Sequence, residues 1–142
     1  MKRASTLGTV LEMFHVRNFS QAEATCRQYL AYHPHDVEVR LLLARALMAQ
    51  DRDDVAVNEV STCIRLQSRC SGAFALLGEL AFRRGSLGAA VTFFREAVRL
   101  DPQDTRSKVL LDIIRAMTPP AAAAAKLPAP AAVAGISPAR NR

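Results

Sequence analysis

The stretch that decides the fold is residues 71–104, SGAFALLGELAFRRGSLGAAVTFFREAVRLDPQD. Several of its positions have equivalents elsewhere in the chain at a constant 34-residue step. The equivalent sets are Ala22, Ala56 and Ala90; Leu43, Leu77 and Leu111; Leu30, Ile64 and Val98; and Pro34, Ser68 and Pro102. A fixed period of this length is typical of stacked helix pairs, each of which buries its apolar face against its neighbours. The period therefore predicts an all-α superhelix.

Capping residues and apolar spacing place four helices before this stretch. Ser20 and Glu23 have the spacing of a capping box, which predicts the start of the second helix, and a proline predicts its end. Asp36 is suited to cap the third helix, because a carboxylate accepts a free backbone N–H of the first turn. The four predicted helices cover about residues 5–17, 20–33, 37–49 and 55–67.

Three further helices are predicted from residue 71 onward, giving about seven antiparallel helices in all. Ser71 is predicted to cap the fifth, and Gly85 to end it in a left-handed conformation. Ser86 is predicted to start the sixth, and Asp104 to cap a seventh from Thr105 to Met117. The seventh has no predicted partner helix, so it is interpreted as a cap on the array.

The chain divides into a helical domain, 3–117, and an Ala/Pro-rich segment, 118–142. The segment contains closely spaced prolines and few large side chains, so we expect it to be disordered or extended. The domain is predicted to contain three repeats and the capping helix, over about residues 3–36, 37–70, 71–104 and 105–117.

Composition argues against several functional classes. The net charge is +6, but residues 1–117 carry 16 Lys/Arg against all 13 Asp/Glu, in an interleaved order, so no nucleic-acid partner is expected. No apolar run is long enough to span a membrane, and no signal peptide is apparent. Three cysteines indicate no disulfide framework, which favours a cytoplasmic location.

Residues 71–104 resemble the tetratricopeptide repeat motif, and the other repeats resemble it more loosely. The motif has an aromatic residue, a Leu-Gly pair and then Gly, Ala, Phe, Ala and Pro at set intervals. The matching residues here are Phe74, Leu77, Gly78, Gly85, Ala90, Phe94, Ala97 and Pro102. The first and second repeats keep fewer of these residues: the first lacks the Leu-Gly pair and the second lacks the proline.

The resemblance implies a concave groove, lined by the first helix of each pair, that holds a segment of another protein. In this chain the corresponding lining is mostly apolar with a few arginines, which suits an apolar or amphipathic partner segment. The co-chaperone positions that bind a terminal carboxylate are apolar or glycine here, so that activity is not expected. The candidate groove residues are Leu7, Leu11, Phe14, Glu38, Leu41, Arg45, Met48, Ala75, Glu79, Phe82, Arg83, Arg106, Val109 and Ile113.

The function predicted from the resemblance is that of a non-catalytic adaptor, scaffold or assembly factor for a protein partner. Two alternatives stay open: a cytoplasmic secretion chaperone of the type III three-repeat kind, and a structural subunit anchored in a larger complex by its C-terminal arm. High arginine and alanine content favours a bacterial source with a GC-rich genome.

Nothing in the sequence indicates catalysis or a cofactor. His33 and His35 flank a proline without further metal ligands nearby, and Asp51, Asp53 and Asp54 lack the rest of a calcium-loop pattern. No glycine-rich phosphate loop is present. We therefore expect neither an enzyme nor a metal site.

Overall fold

Seven α-helices follow one another along residues 2–118, the part of the chain that the computed structural model describes; the predicted arm beyond Thr118 lies outside it. No strand occurs among these residues. The helices are α1 (Arg3–His15), α2 (Phe19–Leu30), α3 (Val37–Ala49), α4 (Asp53–Leu66), α5 (Ser71–Arg83), α6 (Leu87–Leu100) and α7 (Thr105–Met117). Each packs against the next, and α3 also contacts α1 and α5. The predicted all-α solenoid is confirmed.

The alanines of the 34-residue period explain how the helices pack in pairs. Ala22, Ala56 and Ala90 lie at equivalent places on α2, α4 and α6, and none of the three is exposed to solvent. A methyl side chain at these places allows neighbouring helices to approach closely. Cys26 and Cys63 are equally buried, as expected of small apolar residues in the core.

The two helices of the third pair, α5 and α6, approach each other closely at Gly78. A Cβ atom placed on Gly78 of α5 would lie only 2.6 Å from the ring of Phe94 of α6. Phe94 is fully buried, together with Ala81 of α5 and Leu111 and Ile114 of α7. The glycine and the aromatic ring are therefore complementary, and the ring connects the third pair to the capping helix.

The turn inside each pair has the same backbone conformation. Arg17, Asp51 and Gly85 occupy equivalent positions of the three repeats and have φ values of 60°, 59° and 79°. Only glycine adopts this left-handed region without a steric cost from Cβ. The repeat therefore imposes its turn even where the sequence places Arg or Asp.

Several predicted helix starts are wrong in detail. The cap of α2 is Asn18, whose side chain accepts a hydrogen bond from the Gln21 N–H, so Ser20 and Glu23 form no capping box. Glu23 instead accepts bonds from Gln50 and Arg52, because the array brings the start of α4 close to α2.

The start of the fifth helix also differs from the prediction, whereas the sixth starts at Ser86 as predicted. Cys70, not Ser71, is the N-cap of α5 and makes no side-chain cap bond; Ser86 is the N-cap of α6, again without one. Asp36 and Asp104 do cap α3 and α7, accepting from the Val39 and Ser107 N–H groups. The remaining bounds differ slightly from prediction, as is common at frayed ends.

Candidate protein-binding groove

The first helix of each pair and the capping helix are joined by ion pairs along one face. Arg106 of α7 donates two hydrogen bonds to the Glu79 carboxylate of α5, at 3.0 and 3.2 Å. Arg45 of α3 lies on the other side of Glu79, with its Nη1 atom 3.9 Å from Oε1. These contacts run from α3 through α5 to α7, so the three helices share a face at this point.

The same face continues to α1 through Arg3. Its guanidinium contacts both Asp36 and Glu38 at the start of α3, with the Arg3 Nε atom 2.7 Å from Asp36 Oδ2. We call the full set of these side chains the polar belt: Arg3, Asp36, Glu38, Arg45, Glu79 and Arg106. It joins α1, α3, α5 and α7 across the candidate groove.

Three groups of the polar belt have perturbed pKa values. Hydrogen bonds to Asp36 and Glu38 raise the pKa of Arg3. Burial acts to raise the pKa of Asp36, but hydrogen bonds from Arg3, the Val39 N–H and Tyr29 outweigh it, so the pKa is lowered. The hydrogen bonds to Glu79 raise the pKa of Arg106. These shifts favour the charged forms of Arg3, Asp36 and Arg106, and the ion pairs of the belt are formed within the protein itself.

An apolar strip lies along the same face, toward the C-terminal halves of these helices. Its members are partly or fully exposed hydrophobic side chains. The apolar strip consists of Leu11 and Phe14 of α1, Phe82 of α5, and Val109, Ile113 and Met117 of α7. Val109 and Ile113 follow Arg106 by three and seven residues, which places them on the face that Arg106 shares with Glu79.

Charged and apolar side chains are distributed unequally over the two solvent-facing sides of the capping helix α7. Its outward positions, Lys108, Asp112 and Arg115, are charged and exposed. On its groove side, Val109, Ile113 and Met117 are 49%, 43% and 55% exposed. Both sides of the helix contact solvent, yet the side that continues the groove is apolar beyond Arg106.

The fourteen predicted groove residues differ widely in accessibility. Leu11, Glu38, Arg83, Arg106, Val109 and Ile113 are exposed, and Leu7, Phe14, Leu41, Arg45, Glu79 and Phe82 are half-buried. Met48 and Ala75 are only 6% and 7% exposed, so they form the floor of the face and offer little surface to a partner. Leu41 packs against Gly72 of α5, because a Cβ atom placed on Gly72 would lie 2.9 Å from the Cδ1 atom of Leu41.

Arg83 serves the fold more than the groove. It donates hydrogen bonds to the Met48 carbonyl and to Asp51 Oδ1, both at 2.9 Å, and so ties α5 to the turn after α3. Among the predicted residues, Glu38 and Glu79 belong to the polar belt, so the face carries carboxylates as well as arginines.

Three residues on this face are absent from the predicted set. Arg3 and Asp36 join the belt through a contact between two positions that are distant in the chain, and Met117 extends the strip by one helical turn beyond Ile113. Arg45 and Glu79 are equivalent positions of successive repeats and carry opposite charges, which is a signal that could have revealed the cross-helix pairing.

Comparison with protein families identifies the repeat. Two family models, both described as tetratricopeptide repeat, match the chain over residues 14–77 and 54–105. The chain is a tetratricopeptide repeat protein. Membership of this family indicates a protein-interaction module that binds a protein or peptide partner.

The tetratricopeptide repeat protein 21 homolog of Caenorhabditis elegans is 26% identical over 91 residues, or 64% of this chain. The chain spans only 7% of the length of that relative. The likeness is therefore to a short part of a much longer protein.

Solved structures of SycD, a type III secretion translocator chaperone of Yersinia enterocolitica, share the fold. SycD in complex with a peptide of the translocator YopD superposes with a TM-score of 0.68 at 15% identity, covering 80% of this chain and 92% of SycD. An alternative SycD dimer gives 0.71 at 14% identity, with the same coverage. At these identities the similarity concerns the arrangement of helices alone.

The described residues contain no group of three or more potential metal-ligating side chains, and none of their helices is long and apolar enough to cross a membrane. The face formed by the polar belt and the apolar strip is the candidate functional site.

Proposed function

We propose that this protein is an adaptor or assembly factor that holds an apolar or amphipathic segment of a partner protein against the polar belt and the apolar strip. The observation that carries the proposal is the asymmetry of α7, which is charged on its outward side and apolar on its groove side. Exposed apolar surface costs solubility unless a partner covers it. A capping helix needs only a polar outer face to keep the array soluble, so its role as a cap does not explain the exposed apolar residues on its groove side.

The ion pairs support the proposal because they hold the helices that present the strip. Glu79 connects α5 to both α3 and α7, and Arg3 connects α1 to α3. A groove held in one geometry loses less conformational entropy when a partner binds. The half-buried Phe82 supplies an aromatic anchor of the kind that often dominates binding energy.

Substitutions at exposed strip residues test the proposal without damaging the core. Leu11→Asp combined with Ile113→Asp places two charges in the groove where the side chains are already in contact with water. The matched control is Tyr32→Asp, an equally drastic change at a site that is 82% exposed and outside the groove.

Affinity capture of the full chain from its native cells, with identification of bound proteins, provides the measurement. We expect a partner that the wild type and Tyr32→Asp retain and the double variant loses. A partner held equally by all three proteins, with helicity unchanged, would show that the groove is not the binding site.

A secretion-type chaperone is the second candidate, favoured by the fold shared with SycD and by the apolar strip. A chaperone keeps its client soluble, whereas an adaptor binds a partner that is soluble on its own. Expressing the captured partner with and without this protein separates the two functions: insolubility of the partner alone supports a chaperone, and solubility alone supports an adaptor.

A further inference from the structure

Arg45 of α3 differs from the other arginines of residues 2–118 in its hydrogen bonding. Ten of the fourteen donate a hydrogen bond to the protein within this part of the chain. Among the other four, Arg17, Arg69 and Arg95 are exposed, where water serves as acceptor, but Arg45 is half-buried with its side chain 40% exposed. A guanidinium in this position is partly desolvated and, among the described residues, finds no acceptor for its five donors.

The nearest carboxylate cannot satisfy Arg45. Both oxygens of Glu79 already accept from Arg106, and the 3.9 Å separation between Arg45 Nη1 and Glu79 Oε1 is too long for a hydrogen bond. Two guanidinium groups therefore share one carboxylate at the centre of the polar belt, and only that of Arg106 is hydrogen-bonded to it. Residues 119–142 contain no Asp or Glu, so none of their side chains can supply a carboxylate to Arg45.

The residues one helical turn before and after Arg45 are apolar. Leu41 precedes it by one turn and Met48 follows it by one turn on the same face of α3, and Leu11 of α1 occupies the equivalent place one repeat earlier. A ligand group seated here meets one cation bordered by hydrocarbon. A carboxylate with apolar neighbours has the matching chemistry, because guanidinium binds carboxylates through paired, charge-assisted hydrogen bonds.

We propose that Arg45 selects the partner by binding the carboxylate of an Asp or Glu side chain that is flanked by apolar residues in the bound segment. The inference rests on the proposed function, since it assumes that the segment lies in the groove. It assigns to Arg45 a role in specificity and to the partner an acidic residue at a fixed place among apolar ones.

Peptide display tests the proposal with a defined probe. A library of short random peptides is selected on the full chain and on two variants, Arg45→Gln and the matched control Arg95→Gln, which removes an exposed arginine of α6. We expect the wild type and Arg95→Gln to enrich peptides with an acidic residue between apolar ones. Arg45→Gln should enrich apolar peptides without the acidic residue.

Matched peptides then give the magnitude. For a selected peptide, replacing its Glu by Gln should weaken binding about tenfold to the wild type and to Arg95→Gln, as expected for one charge-assisted hydrogen-bond pair. The same replacement should change binding to Arg45→Gln less than twofold. Equal binding of the Glu and Gln peptides to the wild type, or equal losses on all three proteins, would overturn the inference.

The two proposals fail in distinguishable ways. Selected peptides that lose binding to the Leu11→Asp, Ile113→Asp variant but show no acidic preference support the groove and refute the role of Arg45. Peptides that bind this double variant as well as the wild type refute both proposals. The Arg45→Gln variant should also unfold at the same temperature as the wild type, because Arg45 donates no hydrogen bond to the described residues.

Discussion

Replacing Gly78 by Ala should destabilise the protein through a clash with one buried ring. The new methyl group would lie 2.6 Å from the Cδ1 and Cε1 atoms of Phe94 and 2.9 Å from its Cζ atom. Carbon atoms in contact are ordinarily about 3.5–4.0 Å apart, so the ring or the helix must move by about 1 Å. Phe94 is fully buried among residues of α5 and α7, so this movement disturbs the junction with the capping helix.

Two opposing contributions determine the magnitude. Overpacking of a tight core costs about 1–3 kcal/mol, and the upper end applies because the ring has no exposed side toward which to move. Alanine is favoured over glycine within a helix by about 1 kcal/mol. The expected net loss is about 2 kcal/mol, equivalent to a fall of about 8 °C in Tm for a folded unit of this size.

Thermal and urea unfolding, followed by far-ultraviolet circular dichroism, provide the assay, and Gly8→Ala provides the matched control. Gly8 also lies within a helix, but no atom lies within 4 Å of the position that its new methyl group would take, so this change should stabilise the protein by about 0.5–1 kcal/mol.

A second substitution tests the cause of the loss. Phe94→Leu in the Gly78→Ala background removes the ring from the clash, so the double variant should be more stable than the sum of the single effects by about 1 kcal/mol or more. If Gly78→Ala is as stable as Gly8→Ala, or if the two substitutions are strictly additive, the packing argument is refuted.

Three further predictions concern the backbone, charge and thiols. Gly85→Ala should destabilise by about 1 kcal/mol although no atom lies within 4 Å of the new methyl, because φ is +79°, and Gly85→Asn should recover part of the loss in urea unfolding. Asp36→Asn should cost about 1 kcal/mol at pH 7, since asparagine still caps α3 but loses the pair with Arg3. The pKa of Asp36 lies below its ordinary value of 3.8. Its contribution to stability is therefore present above that pH and disappears as pH falls through the lowered pKa. A difference in the free energy of unfolding between wild type and variant that persists unchanged at about pH 2 would contradict this. Burial raises the pKa of Cys26 and Cys63 to about 12, so neither should react with a disulfide reagent at pH 8 until the protein is unfolded, and rapid labelling of the native protein would show that the core opens.

The helices could be predicted because their signals are local or periodic. The side chains of Asp36 and Asp104 accept hydrogen bonds from N–H groups three residues later in the chain, so the local sequence predicts both caps. Ser20 and Glu23 gave a false capping box because Asn18 competes for the same helix start and Glu23 is drawn to Gln50 across the array. The bond from Gln50 comes from another helix pair, and a local sequence pattern contains no information about it.

The candidate groove could be predicted only as a list of helix positions. The period placed Leu11, Glu79 and Ile113 on one face, but it did not distinguish floor from surface. Met48 and Ala75 have the same helical register as accessible neighbours and are nevertheless buried, because burial depends on how the helices pack in three dimensions. Whether these groove residues bind a partner stays a prediction for the capture and display experiments.

The sequence by itself determined the number of helices and their pairing, because a 34-residue period repeats the same local instructions three times. Of the three left-handed turns inside the pairs, it indicated only the one at Gly85. Only the tertiary structure decided how charge is distributed along the groove. Glu79 bonds to Arg106 and leaves Arg45 without an acceptor among the described residues, since the array brings these three side chains together from α5, α7 and α3. Hydrogen bonding depends on small differences in distance between such helices, and periodicity does not specify them.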